Sequence, residues 1–122
     1  MNNSPSIAVL LAAYNGIEWI EEQVASISSQ KNTSIEIFIS VDLSNDKTYE
    51  WCQNLARNNS YIKVLPYGER FGGAAKNFYR LIRDVDFSYF DYIALSDQDD
   101  IWDSDKLHHA ISVIEKDNLD GY

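Results

Sequence analysis

Four apolar runs, each followed by a stretch with helical spacing, constrain this chain more than any other feature. Ser6-Ile7-Ala8-Val9-Leu10-Leu11-Ala12 is apolar on both faces, the pattern of a strand covered above and below in a parallel sheet. Tyr14-Asn15-Gly16 interrupts it. Ile17, Ile20, Val24 and Ile27 then recur at helical spacing, which predicts a helix to about Ser29. Ile35 to Val41 is a second strand, rich in β-branched residues. Asp42-Leu43-Ser44-Asn45-Asp46 is loop chemistry, with N-cap candidates in Ser44, Asn45 and Asp46. A second helix follows, with Tyr49, Cys52, Leu55 and Ala56 inward. Tyr61 to Leu65 is a short third strand ended by Pro66, and residues 67 to 73 form a loop. Ala74, Phe78, Leu81 and Ile82 mark a third helix.

The fourth strand, Asp91 to Ser96, contains Tyr92-Ile93-Ala94-Leu95, which reads as buried. The fourth helix runs to about Lys116, with Leu107, Ala110, Ile111 and Ile114 inward. Trp102 and Leu107 are spaced for a hydrophobic staple around an N-cap at Asp103. Strict strand–helix alternation predicts a mostly parallel sheet with helices on both faces and right-handed crossovers.

A chain of 122 residues, 45% of them hydrophobic, suits one domain around one core. The N-terminus, Met1-Asn2-Asn3-Ser4-Pro5-Ser6, lacks the basic and apolar regions of a signal peptide. No apolar run is long enough to span a membrane. Cys52 is the sole cysteine, so no disulfide forms within the chain, and a reducing compartment is the simpler assumption. The net charge of −9 argues against binding a nucleic-acid backbone, which needs clustered Lys and Arg.

Part of that charge sits in the Asp97–Asp105 segment, which opens with Asp97-Gln98-Asp99-Asp100 at the carboxyl end of the fourth strand. Carboxylates this close repel one another unless a cation sits among them. Their hard oxygens suit Mg²⁺ or Mn²⁺, ions that commonly bridge to a diphosphate. The other candidate ligand groups also fall at strand ends. Tyr14-Asn15 follows the first strand, Asp42 the second, and the loop from Arg70 to Lys76 the third. In a parallel sheet those ends share one edge and can converge on one ligand. Asp103, Ser104 and Asp105 read as cap and helix-dipole residues. His108 and His109 read as surface, and Cys52, Trp51 and Trp102 as packing. The acidic run departs from an EF-hand, since Trp102 replaces its Gly and His108 its Glu. Gly72-Gly73 belongs to neither a dinucleotide fingerprint nor a Walker A loop.

Ala12-Ala13-Tyr14-Asn15-Gly16, then Asp42-x-Ser44-x-Asp46-x-Thr48, then Lys76-Asn77, then Ser96-Asp97-Gln98-Asp99-Asp100 resemble, in order and spelling, the family 2 glycosyltransferases. Asp-Gln-Asp-Asp-Ile-Trp, with Lys76-Asn77-Phe78 upstream, is most similar to a rhamnosyltransferase-like branch. The resemblance covers nearly all of residues 1–122 and implies a GT-A (Rossmann-like) three-layer α/β/α sandwich, of which this chain is the N-terminal, nucleotide-sugar-binding half. It implies that Asp99, with Asp97, holds Mn²⁺ or Mg²⁺ against the donor diphosphate. Asp97 and Gln98 border the nucleotide, with Asp97 near the ribose or the metal shell. Asp42 accepts a hydrogen bond from N3–H of a uracil or thymine base. Ala13, Tyr14 and Asn15 line the base pocket, and Lys76 meets the base edge or a phosphate.

Lys76 stands where the family often has Arg, Val41 and Leu43 replace an Asp and a Gly, and Ala12-Ala13 lacks a hydroxyl. The reaction implied is metal-dependent, inverting sugar transfer from a nucleoside-diphosphate sugar, dTDP-rhamnose first and a UDP-sugar second. The implied acceptor is a polysaccharide or lipid-linked glycan. The implied setting is the bacterial cytoplasm, at the inner face of the membrane, with peripheral association of the full-length protein. The catalytic base is expected downstream of residue 122. Two alternatives remain: a nucleotide-binding domain without catalysis, and a receiver-like signalling module. The receiver would need acidic residues where this chain has Ala13-Tyr14-Asn15, and a phosphoacceptor Asp where it has Pro66-Tyr67.

Overall fold

The computed structural model describes residues 4–97 and 100–121. Eight elements alternate as the sequence predicts: β1 (Ser6–Ala13), α1 (Ile20–Ser28), β2 (Ser34–Val41), α2 (Thr48–Asn58), β3 (Ile62–Val64), α3 (Ala74–Asp84), β4 (Tyr92–Ser96) and α4 (Lys106–Asp117). The four strands form one sheet in the order β3-β2-β1-β4, and every pairing is parallel. β1 is central, which accounts for its unbroken apolar sequence: Ile7 to Ala13 are all essentially buried.

Alternation along β1 divides the core. Ile7, Val9, Leu11 and Ala13 face one layer with Val24 and Ile27 of α1, Cys52 of α2, and Leu107 and Ile111 of α4. Leu10 and Ala12 face the other, with Leu81 of α3 and Leu65. The domain is thus a three-layer α/β/α sandwich with three helices on one face and one on the other. The chain steps from β1 to β2 to β3, then crosses back under α3 to reach β4 on the far side of β1. That reversal makes a switch point, where an open α/β sheet leaves a crevice at its carboxyl edge.

Several sequence expectations are corrected. Ile17 precedes α1 and is partly exposed, because the Trp19 and Ile20 amides both bond to Gly16 O in a tight turn before the helix. β4 is not buried on both faces: Ile93 and Leu95 are each about half exposed. Their β1 partners, Ala8 and Leu10, are fully buried, but α3 packs chiefly over β1 and β2. Ile82 likewise points outward from α3. The Trp102–Leu107 staple does not form about Asp103, because α4 starts at Lys106 after a turn. Both side chains are nevertheless buried in the same layer. None of Ser44, Asn45 and Asp46 occupies the N-cap of α2, which falls to Lys47. Asp46 instead turns the chain one residue earlier, accepting from the Thr48 amide and hydroxyl.

Candidate functional site

A cavity of about 420 Å³ opens at the carboxyl edge of the sheet. Ala12, Ala13 and Tyr14 from the end of β1, Asp42 from β2, and Asp97 from β4 line it, with Arg70, Gly72, Gly73, Ala74 and Asn77 around the start of α3. Parallel pairing places Ala13 beside Val41 and Leu11 beside Ser96, so the three strand tips end around one space.

Asp42 is buried, and both of its carboxylate oxygens are engaged. Oδ1 accepts from the Leu43 amide at 2.9 Å and the Phe71 amide at 2.6 Å. Oδ2 accepts from the amides of Gly72 at 3.1 Å and Gly73 at 3.4 Å. Three of the four donors lie at or just before the start of α3, where Gly73 occupies the N-cap position without a side-chain cap. An anion at a helix N-terminus is favoured by orphan amides and the helix dipole alike, so Asp42 caps α3 from 30 residues away. The loop approaches this closely because Gly72 and Gly73 have φ of +86° and +144°, values that side-chain-bearing residues rarely adopt.

Beneath the cavity lies a buried polar network absent from the sequence reading. Asn77 donates to Ser40 O at 2.9 Å and accepts from Ser40 Oγ. Arg80, one turn further along α3, donates to Ser40 Oγ, Pro66 O and Asp84, and its guanidinium sits 5.1 Å from the Phe71 ring centre. The Lys76-Asn77 pair marks this helix in the sequence, but only the structure turns Asn77 inward.

The loop after β1 is tied to the loop after β2. Asn15, at φ +45°, accepts from the Asn45 amide at Oδ1 and donates its own amide to Ser44 Oγ. Gly16 N donates to Thr48 Oγ1, and Ile17 N to Asp46. Burial would raise the Asp46 carboxyl, but the Thr48 hydroxyl and the Thr48 and Ile17 amides outweigh it and hold the carboxyl below 3.8. Asn15 therefore shapes the cavity rim without lining it. Tyr14 is 48% exposed and does line it. Lys76 is exposed on α3 and does not line the cavity, whereas Arg70 does. Gln98 and Asp99 lie outside the described residues. Burial pushes the Cys52 thiol up to about 12, so it is inert core.

Asp97 donates its amide to Asp100 Oδ2 and accepts the Asp100 amide at its carbonyl. Among the described residues, one guanidinium faces two carboxylates around the cavity. No group of three or more His, Cys, Asp or Glu side chains gathers among the described residues. An ion that shares its shell with a diphosphate and water needs only one or two protein carboxylates, so the oxygen donors present fit Mg²⁺ or Mn²⁺. No helix among the described residues is long and apolar enough to cross a membrane.

Comparison with known proteins identifies the family and the fold. The chain is 51% identical over 113 residues to a dTDP-rhamnosyl transferase of Shigella flexneri, a match covering 92% of this chain but 39% of that relative. Among solved structures, Staphylococcus aureus TarS in complex with UDP-GlcNAc superposes with a TM-score of 0.71 at 23% identity, over 91% of this chain and 31% of that one. A Pyrobaculum calidifontis mannosyltransferase in complex with GDP-Man and Mn²⁺ superposes with a TM-score of 0.76 at 22% identity, over 90% of this chain and 32% of that one. These structural likenesses establish the shared GT-A fold. The family model for glycosyl transferase family 2 matches residues 8–122, and the chain belongs to that family.

Proposed function

We propose that this chain forms the nucleotide-sugar-binding part of an inverting, metal-dependent glycosyltransferase. The observation that carries the reading is the convergence of Tyr14, Asp42 and Asp97 on one cavity from three parallel strand tips at a switch point. The chain is half identical to a relative named for dTDP-rhamnose transfer. That supports dTDP-rhamnose as the first donor to test, with a UDP-sugar second. A polysaccharide or lipid-linked glycan at the cytoplasmic face of the membrane is the acceptor that fits such a donor.

In this reading the base lies among Ala13, Tyr14 and the Asp42–Gly73 rim. Asp42, whose oxygens already accept the Leu43, Phe71, Gly72 and Gly73 amides, holds the loop that walls the base pocket, and the N3–H of a uracil or thymine would reach its carboxylate only by displacing one of those amides. Arg70 faces the phosphates. Asp97, together with Asp99, would hold Mn²⁺ or Mg²⁺; when bound, the ion neutralises charge on the leaving nucleoside diphosphate. The charge balance supports this assignment. A diphosphate brought beside Asp97 in a chain of net charge −9 meets repulsion that one Arg70 does not offset.

Calorimetric titration of dTDP and UDP, each with and without Mn²⁺, tests the reading. Metal-dependent binding that Asp97→Ala abolishes is the expected result. Binding indifferent to both the metal and Asp97 would defeat it.

A further inference from the structure

Ser96–Asp97 and residues 102–107 rest against a polar stripe formed by α1 and the residues just after it. Gln23, fully buried, donates its amide nitrogen to Ser96 Oγ at 3.0 Å and to Asp97 O at 2.5 Å. Ser26 Oγ accepts from the Trp102 amide at 3.1 Å. Gln30 donates to Asp103 O at 2.6 Å and accepts from the Leu107 amide at 3.0 Å. The Lys31 amide closes the series on Ser104 O at 2.7 Å. Residues 23 and 26 share one face of α1, adjoining the apolar face of Ile20, Val24 and Ile27, and Gln30 follows two residues beyond the helix end.

From this geometry we infer that Gln23, Ser26 and Gln30 are positioning residues. They form a polar mould that holds the backbone at Ser96–Asp97 and from Trp102 to Leu107, and so set where Asp97 and Asp100 present their carboxylates. The hydrogen bonds described from these three side chains to the segment go to main-chain atoms or to Ser96. The mould therefore holds the path without consuming the carboxylates.

Gln23 shows that packing alone does not account for the stripe. Its Oε1 is buried and finds no partner among the described residues. An orphaned buried acceptor costs stability, and an apolar side chain of the same shape would avoid that cost. What Gln23 adds in return is its pair of donated bonds at the strand tip. Asp97 O also accepts the Asp100 amide, so the Gln23 nitrogen and the turn at Asp97–Asp100 meet on one oxygen. Through that atom a side chain on α1 controls the aspartate facing the cavity.

The inference rests on the nucleotide–metal reading for its functional consequence, and Gln23→Met separates the two. Met fills the same volume, removes the donor and removes the orphan acceptor. The variant exchanges the orphan acceptor for a buried Ser96 Oγ that has lost its donor, so it is expected to melt within a few degrees of the wild-type temperature. The Asp100 amide should exchange faster with solvent, while Val24 and Ile27 amides keep their protection. Affinity for dTDP alone should be unchanged, but the gain conferred by Mn²⁺ should fall about tenfold, the usual scale for losing a group that orients a metal ligand.

Ser26→Ala, which removes the acceptor of the Trp102 amide, should reproduce the loss more weakly and guards against a folding failure of the first variant. A purely structural role would tie the loss of Mn²⁺-dependent affinity to a loss of melting temperature. Unchanged Asp100 exchange in folded Gln23→Met would overturn the mould. So would faster exchange with an intact Mn²⁺-dependent gain. A wild-type chain without any such gain would strike the nucleotide–metal reading, and Asp100 exchange alone would then decide the mould.

Discussion

Asp42 is the residue on which the two sides of the cavity meet, and its charge is central to that role. Four amides converge on two oxygens. Asn at this position would keep one acceptor and turn an NH₂ toward amides that can only donate. Asp42→Asn is therefore expected to destabilise the fold by about 2 kcal/mol, from one lost charged bond and one pair of opposed donors. Urea denaturation checks it; a variant as stable as wild type would mean that the loop has another anchor. Asp46 provides a second check, read through pH. Its carboxyl is more acidic in the folded chain than the ordinary 3.8. A group depressed in this way contributes stability at all pH above the unfolded value and loses it as pH falls through the folded one. The stability difference between wild type and Asp46→Asn should thus be level above about pH 5 and shrink in acid below 3.8. Denaturation series at stepped pH would measure it. A difference that grew in acid would contradict the hydrogen-bonding described for Asp46.

At the scale of elements, the start of α3 is where backbone geometry and site coincide. A Cβ on Gly73 would meet nothing within 4 Å, yet its φ of +144° and ψ of 163° suit glycine alone. Gly73→Ala should cost about 1–3 kcal/mol through backbone strain rather than crowding. Gly121→Ala, also uncrowded and without a positive φ, should be neutral by the same thermal melt. The elements themselves were legible in the sequence because apolar periodicity reports which faces are buried, and the order of strands and helices followed from it. The cavity's outline was legible too, because parallel strands must deliver their carboxyl ends to one edge.

The partners of the polar residues were not legible. Ile20, Val24 and Ile27 announce the buried face of α1, but Gln23, Ser26 and Gln30 look like any solvated stripe until Asp97 and residues 102–107 lie across them. The same holds for Asp42 with Gly72-Gly73, and for Asn77 and Arg80 with Ser40. Each bond joins residues tens of positions apart, and periodicity carries no record of such pairings. Lys76 and Arg70 show the limit from the other side: two cations near one loop, of which chain direction alone decides which reaches the cavity.

For the whole molecule, the unequal layers set a vulnerability. Among the described residues three helices cover one face of the sheet, whereas α3 alone covers the other and packs chiefly on β1 and β2. Among the described residues β4 is also an edge strand. It therefore offers an open hydrogen-bonding edge beside Ile93 and Leu95, with no Pro, Lys or other charge among Tyr92–Ser96 to blunt it, the combination that invites strand-to-strand association. The net charge of −9 works against this. Repulsion between like-charged molecules is long-ranged at low salt but is screened within about 10 Å at 0.1 M, while apolar contact between edges is not screened at all.

Association of this chain should therefore be weak at low ionic strength and rise with salt, the reverse of an interface built on ion pairs. Sedimentation velocity over a range of concentration and NaCl would measure it. Ile93→Lys with Leu95→Lys should suppress the salt-driven species. Neither side chain fills the core, so the melting temperature should hold within a few degrees. If wild type stays monomeric at high salt and high concentration, the β4 edge is less accessible than its exposed side chains imply. If the double substitution unfolds the chain instead, Ile93 and Leu95 contribute to the core despite their exposure.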